Sequence, residues 1–301
     1  MVFAQQNTSP TRREIPGIVT GTGASQTAVI KVPFNATYSW LEVRCTIAGA
    51  APTRVQMEAM LGEVRVNLSG RNVQTLSAKQ MIAIEEFYNS GIIADTGVLL
   101  FNMERLWMLG FSAQNEPEWG TLAETSFEIQ IDQVAASTID LIRVYAKYES
   151  TASEIGAYIQ RVRVSPPVTA IGHRFISDLP RFEDGFLYAL HIECSVAANL
   201  TDVRFTADNV ELLNLPVLML NRDYLRSTPR RTIQNTTRTA SDGTTSGFVH
   251  IDFASRNYDS DAIPMSYDSH LLDLTYANAA PTIHNIIMEI GRKEPSKLKS
   301  K

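Results

Sequence analysis

The sequence predicts an all-β fold: two tandem eight-stranded jelly rolls, each with one short inserted helix. Three observations lead there. The stretch LEVRCTIA (Leu41–Ala48) is written again as LHIECSVA (Leu190–Ala197), and both copies alternate apolar with polar residues. A period of two with one apolar face marks a half-buried strand. Each copy leads into a related stretch, EVRVNLSGRNVQTLS (Glu63–Ser77) and DVRFTADNVELLN (Asp202–Asn214). These align once two residues are dropped, matching Asn72, Val73 and Leu76 with Asn209, Val210 and Leu213. A repeat whose period is near half the chain means two copies of one domain. Finally, many short, evenly spaced strands imply a sandwich or barrel rather than a parallel α/β sheet.

A chain of 301 residues accommodates two such domains of roughly 130–150 residues, each with its own core. The expected divisions are an N-terminal arm over 1–15, a jelly roll over 16–152, a second over 153–291 and a basic tail over 292–301. The arm is mostly polar, contains Pro10, Arg12 and Arg13, and shows no periodicity. TAVIKVP opens the strands, with Ala28, Ile30 and Val32 inward; the first repeat strand and EVRVNL follow, and SGRN (Ser69–Asn72) is a turn. A helix then starts at Ser77, whose spacing to Gln80 is that of a capping box. Met81, Ile84 and Tyr88 keep a helical spacing, and Gly91 suits the C-terminal cap. GVLLFNM, the long loop Gly110–Thr121, SFEIQIDQ and TIDLIRVYAKYES complete the first half.

STASEIG (150–156) reads as a linker, after which the order repeats. AYIQRVRV and VTAIGHRFIS are strands, DLPRFEDG (Asp178–Gly185) is a turn, and the second repeat strand and DVRFTA follow. Asn214 takes the place of Ser77 as a helix cap, with Pro216 in the first turn and Val217, Leu220 and Tyr224 in helical spacing. The polar loop Ser227–Ser246 is expected to stay out of the core. GFVHIDF then answers GVLLFNM, and HLLDLTY and IHNIIMEI are the last strands. The tail RKEPSKLKSK carries Arg292, Lys293, Lys297, Lys299 and Lys301 against one acid.

A formal charge of −5 and a pI near 5.6 speak against a general nucleic-acid binder. No apolar run approaches the roughly 20 residues of a membrane helix, and the start of the chain lacks an apolar core of signal-peptide length. Cys45 and Cys194 share one repeat position on the inward face of their strands and are expected as buried hydrophobes in two separate cores. His191 and His250 fall on the outward phase of theirs and are expected at the surface. The acidic pairs Glu85–Glu86, Glu116 with Glu118, and Asp259 with Asp261 are expected on solvated faces rather than in a hydrolase cleft. No cofactor is expected; Asp259, Asp261 and Asp268 are the one set of oxygen donors that would collect a Ca²⁺ ion, without the spacing of a known calcium loop. The Gly-rich stretches Gly21–Gln26 and Ser241–Gly247 lack the flanks of a phosphate loop. Arg226, Arg230 and Arg231 lie in a loop without aromatic interleaving, which favours a solvated loop or a subunit contact. No catalytic constellation survives, so the chain is not expected to be an enzyme.

VPFNATYSWLEVRCTIAG (Val32–Gly49), VRVNLSGRNVQTL (Val64–Leu76) and ISDLPRFEDGFLYALHIE (Ile176–Glu193) resemble the double jelly-roll major capsid proteins of icosahedral, membrane-containing phages. The likeness is to the corticovirus type above all, within a lineage that includes tectiviruses and finnlakeviruses and, more distantly, adenovirus hexons. It spans most of residues 25–290. The resemblance implies a virion protein, assembled in the host cytoplasm into homotrimers whose six jelly rolls make a pseudo-hexagonal capsomer. These would tile an icosahedral shell around a lipid membrane, beside minor capsid and vertex proteins and without sequence-specific nucleic-acid binding. On this reading Arg292, Lys293, Lys297, Lys299 and Lys301 rest against the membrane, and Arg12 and Arg13 belong to an arm that clamps a neighbouring subunit. The alternative is a tandem jelly-roll carbohydrate- or receptor-binding protein, for which Trp119, Tyr258 and Tyr267 are the aromatics to test.

Overall fold

The computed structural model describes residues 11–15, 18–89, 97–103, 118–168, 170–195, 197–220, 234–239, 245–253, 262–282 and 284–293, apart from the side chains of residues 11, 12, 18, 234–239, 245 and 293. In the first half β1 (Thr11–Glu14), β3 (Thr27–Lys31), β4 (Thr37–Thr46), β5 (Leu61–Leu68), β6 (Arg71–Ser77), β7 (Val98–Asn102), β9 (Phe127–Gln133) and β10 (Leu141–Glu149) are the eight strands of one jelly roll. β2 (Ile18–Thr20) and β8 (Trp119–Gly120) add short pairings at β3 and β4. One sheet runs β1-β10-β4-β7 and the facing one β3-β9-β5-β6.

The second half repeats the pattern with β11 (Ala157–Val164), β12 (Gly172–Ile176), β13 (Phe186–Cys194), β14 (Leu200–Ala207), β15 (Val210–Pro216), β17 (Thr245–Asp252), β19 (His270–Tyr276) and β20 (His284–Lys293). Its sheets run β11-β20-β13-β17 and β12-β19-β14-β15. In both halves, therefore, the strands stand in the order first-eighth-third-sixth in one sheet and second-seventh-fourth-fifth in the other. That is the jelly-roll topology, with inward residues of both sheets forming the core. Leu41, Val43 and Cys45 of β4 are buried, as are Leu190, Ile192 and Cys194 of β13. Both cysteines are free.

The hairpins β5-β6 and β14-β15 show how closely the halves correspond. Glu63 pairs with Ser77 and Leu68 with Arg71; Asp202 pairs with Pro216 and Ala207 with Val210. Residues 63–77 and 202–216 thus align without a gap, so the two-residue offset inferred from sequence is replaced by a continuous match. The turns are Ser69-Gly70 (φ 48° and 78°) and Asp208-Asn209 (φ 45° and 62°). Left-handed backbone at both central residues makes the two-residue turn whose twist suits a hairpin, and Asn and Asp tolerate it.

Helix α2 (Ala78–Asn89) forms where the sequence places it. Gln80 N–H donates to Ser77 Oγ (3.2 Å) and Ser77 N–H to Gln80 Oε1 (3.0 Å), closing the capping box. Gly91 lies outside the described residues. The second-half counterpart differs from expectation: Asn214 is inside β15, paired with Arg204, and Pro216 ends that strand. The helical turn 217–220 begins after it. Helix α1 (Arg54–Met60), capped by Thr53 and Gln56 in a second capping box, was not anticipated. Part of the loop Ser227–Ser246 is ordered backbone too: β16 (Gln234–Thr239) pairs with β17, and Ser246 is buried. The short β18 (Ile263–Pro264) pairs with β13.

The two rolls are joined edge to edge. A parallel bridge between Gln74 of β6 and Arg161 of β11 fuses one sheet from each roll into a single eleven-stranded sheet. Because β6 and β11 run the same way, corresponding ends of the two barrels coincide. β1 begins and β20 ends at the same end of the two barrels.

Candidate functional site: the seam between the two jelly rolls

Around that bridge lies a cluster of buried polar and charged side chains. Helix α2 leaves β6 and crosses onto the outer face of β17, and every residue from Ala78 to Tyr88 is buried. Met81, Ile84 and Phe87 supply apolar surface, while Lys79, Gln80, Glu85 and Tyr88 meet polar side chains of the second roll.

Glu193 of β13 is one focus. It accepts hydrogen bonds from Gln80 Nε2 (2.6 Å), Ser246 Oγ (2.7 Å) and Asn285 Nδ2 (2.9 Å), and Lys79 Nζ lies 2.7 Å from Oε1. Burial works to raise its pKa, but the Lys79 ammonium and these donors outweigh it and hold the carboxyl below its ordinary value. Arg161 is the other focus. Its Nε donates to Glu289 Oε1 (2.7 Å) and its Nη2 to Glu85 Oε1 (3.0 Å), and Tyr88 Oη donates to Glu289. Desolvation alone would lower the guanidinium pKa; Glu289 and Glu85 more than reverse that. A buried charge left alone would cost several kcal/mol; here Lys79 pairs with Glu193 and Arg161 with Glu85 across the seam, and Arg161 pairs with Glu289 within the second roll.

Between the foci, His191 Nδ1 and His250 Nδ1 are 2.8 Å apart, one donating and one accepting. Phe87 stacks on His250 with ring centroids 4.5 Å apart. Both histidines are fully buried, which overturns the expectation of surface residues. The alternation was right about the outward face; that face is simply covered by α2. Glu85 and Glu86 of α2, expected in solvent, are buried as well, Glu86 accepting from Arg54 Nη1 of α1 (3.0 Å).

Other predicted residues fall elsewhere. Arg12 and Arg13 are in strand β1, opposite Lys147 and Ala146 of β10, rather than in a stretch without secondary structure. The Arg13 guanidinium lies over the Tyr148 ring (5.3 Å to the centroid). Arg292 and Lys293 are in β20 rather than in a tail. Arg292 stacks on Phe182 (4.8 Å) and donates to Gln160 Oε1 (3.3 Å). Lys297, Lys299, Lys301, Asp259, Asp261, Glu116, Tyr258, Arg226, Arg230 and Arg231 lie outside the described residues. Asp268 is exposed, and its carbonyl accepts from Arg181. Glu118 accepts from Ser39 Oγ (2.7 Å). Trp119 is buried against Phe127, and Tyr267 is half-buried beside His270. These two aromatics therefore give no exposed sugar-stacking platform. Among the described residues no three His, Cys, Asp or Glu side chains converge as metal ligands, and no helix is long and apolar enough to cross a membrane.

Residues 14–149 match the family of the viral coat protein P2 N-terminal domain. No curated protein sequence matches significantly. Among solved structures, the major capsid protein P2 of bacteriophage PM2 superposes with a TM-score of 0.77 at 19% identity, covering 96% of this chain and 99% of that one. The major capsid protein of Sulfolobus turreted icosahedral virus gives 0.62 at 10% identity, covering 94% and 96%. The structure of PBCV-1 VP54, as fitted into the virophage Sputnik, gives 0.60 at 10% identity and 99% of both chains. Residues 14–149 are thus similar to a viral coat protein P2 N-terminal domain, and the chain as a whole has the double jelly-roll fold of these capsid proteins.

Proposed function

We propose that this protein is a viral coat protein, the major building block of an icosahedral shell around a lipid membrane. It assembles as a homotrimer in which six jelly rolls form a pseudo-hexagonal capsomer standing upright in the shell. The observation that carries this reading is the parallel β6-β11 joint, which sets two barrels side by side with like ends together. Such a unit has two distinct ends and two free sides, as a tile needs. The end at which β1 begins and β20 ends is the membrane-facing one. Lys293 ends β20, Lys297, Lys299 and Lys301 follow it in the sequence, and each basic residue near an anionic lipid surface contributes about 1 kcal/mol. Residues 1–10 reach a neighbouring subunit, and minor capsid and vertex proteins complete the shell.

Light scattering on a size-exclusion column tests the assembly. A species near three times the chain's 33.4 kDa is expected, and a monomer at high concentration would overturn it. For the membrane, full-length protein should float with vesicles containing anionic lipid more than a variant lacking 294–301 does. Equal flotation would remove the tail from that role.

A further inference from the structure

We infer that the chain uses its internal joint a second time, between copies: β15 and the helical turn 217–220 of one molecule dock on β1 and the outer face of β10 and β4 of another. This rests on the self-assembly proposed above and assigns it a surface.

The strand registers define which residues correspond. Leu41 pairs with Ala146, which pairs with Arg13; Leu190 pairs with Met288, which pairs with Val162. Leu41 and Leu190 are repeat equivalents, so Arg13 stands where Val162 stands, and Arg12 where Arg161 stands. On the other side, the gapless match of 63–77 with 202–216 puts Leu213 where Gln74 stands. Gln74 and Arg161 form the bridge inside the chain. Its counterpart would join Leu213 of one copy to Arg12 of the next. Both strands are free for it: among the described residues, β1 and β15 are each the outermost strand of their sheet.

Exposure supports the match. Lys79 and Gln80 of α2, which cross the seam, are 3% and 2% exposed; their counterparts Leu218 and Met219 are 65% and 51% exposed. Flanking positions agree in both halves, since Ala78 and Met81, like Val217 and Leu220, are buried. Val210 and Leu212 of β15 are exposed as well, whereas Val73 of β6 is buried. An unpaired strand edge beside uncovered apolar side chains is a template for association. Where Glu193 and Asn285 receive Lys79 and Gln80, the first roll presents Arg44 and Arg143, by the pairings Arg44–Arg143 and Glu193–Asn285. Arg44 lies over the Tyr145 ring (4.9 Å), so ring and aliphatic stems form a surface that suits Leu and Met side chains. A contact between two different patches is heterologous, and such contacts close into rings or run on as filaments.

The test uses the full chain carrying Leu218→Lys and Met219→Lys, which set like charge against Arg44 and Arg143. At a concentration where the unmodified protein is trimeric, dissociation should become at least tenfold easier by light scattering, with far-UV circular dichroism unchanged. Adding Arg44→Glu and Arg143→Glu should restore association. If the lysine variant folds and still forms trimers as before, this surface is wrong while the trimer stands. If the unmodified protein is a monomer, the self-assembly reading itself falls, and this inference with it. Should the lysine variant fail to fold, Arg12→Cys combined with Leu213→Cys decides. Oxidation should then give covalent species between chains, and trimers that stay uncrosslinked overturn the inference.

Discussion

Arg161 of the second jelly roll and Glu85 of the first meet at 3.0 Å, both buried, at the one place where the two rolls share a sheet. The contact belongs to neither core. It ties the helix of one domain to the strand of the other, so the rolls are held as one body by matched charges as well as by apolar packing.

The Lys79–Glu193 pair tests how much that matching matters. Removing one partner from a buried pair costs about 3–5 kcal/mol, whereas replacing both with apolar groups of similar size is close to neutral. Glu193→Ala should therefore lower unfolding free energy by about that much. Lys79→Met with Glu193→Gln should recover most of the loss, because the amide still meets Gln80, Ser246 and Asn285. Denaturant titration of the three proteins measures it, and a single-variant loss below about 1 kcal/mol would show that the pair is not desolvated.

His284 gives the fold an acid limit. Burial pushes its pKa down to about 4, a lowering that the nearby Pro166 backbone offsets only in part. The unfolded chain takes up this proton near pH 6.5. As the pH falls from about 6.5 to about 4 the unfolded state therefore binds a proton that the folded state does not, and stability is lost across that window, by about 3 kcal/mol in all. The variant His284→Gln should lose less stability than the unmodified protein between pH 7 and 4.5. Parallel pH profiles would refute the assignment.

Gly120 sits where the interdomain linker crosses the first roll. A Cβ there would lie 2.5 Å from the carbonyl oxygens of Ser153 and Glu154. Backbone cannot swing aside as a side chain does, so Gly120→Ala should cost about 1–3 kcal/mol. Thermal unfolding would register this as a lowered midpoint, and an unchanged midpoint would mean that the linker yields.

Cys45 should be chemically silent. Burial pushes its thiol pKa up to about 12, leaving almost no thiolate near neutrality. A thiol-specific reagent should react with it only as fast as the protein unfolds. Rapid labelling of the native protein would show that the first core opens locally.

The repeat was legible because inward residues obey the strand period in both halves: Leu41, Val43 and Cys45 recur as Leu190, Ile192 and Cys194. The helix after β6 was legible from Ser77 and Gln80. The seam was not read, because period-two alternation says which face a residue takes and not what covers that face. His191, Glu193 and His250 looked like solvent residues for that reason. A signal did exist: Met81, Ile82, Ala83, Ile84, Phe87 and Tyr88 wrap apolar surface around more than one side of α2, and such a helix is covered on more than one side. Helix α1 also left a trace, the Thr53–Gln56 spacing. Asn214 misled because it too is a good cap; the β14-β15 register carries the strand two residues past it.

The eleven-stranded sheet has a further consequence for where costly contacts sit. Its two halves are covalently tethered, so the partners across the β6-β11 joint never dilute away from each other, and the local concentration of each for the other stays high. A tethered joint of that kind sustains buried ions such as Lys79 and Arg161, whose dehydration has a large cost. A joint formed from separate chains must also offset the loss of free tumbling. Apolar side chains, which shed water readily, suit that task better, and Leu218 and Met219 are what the second roll displays at the matching positions.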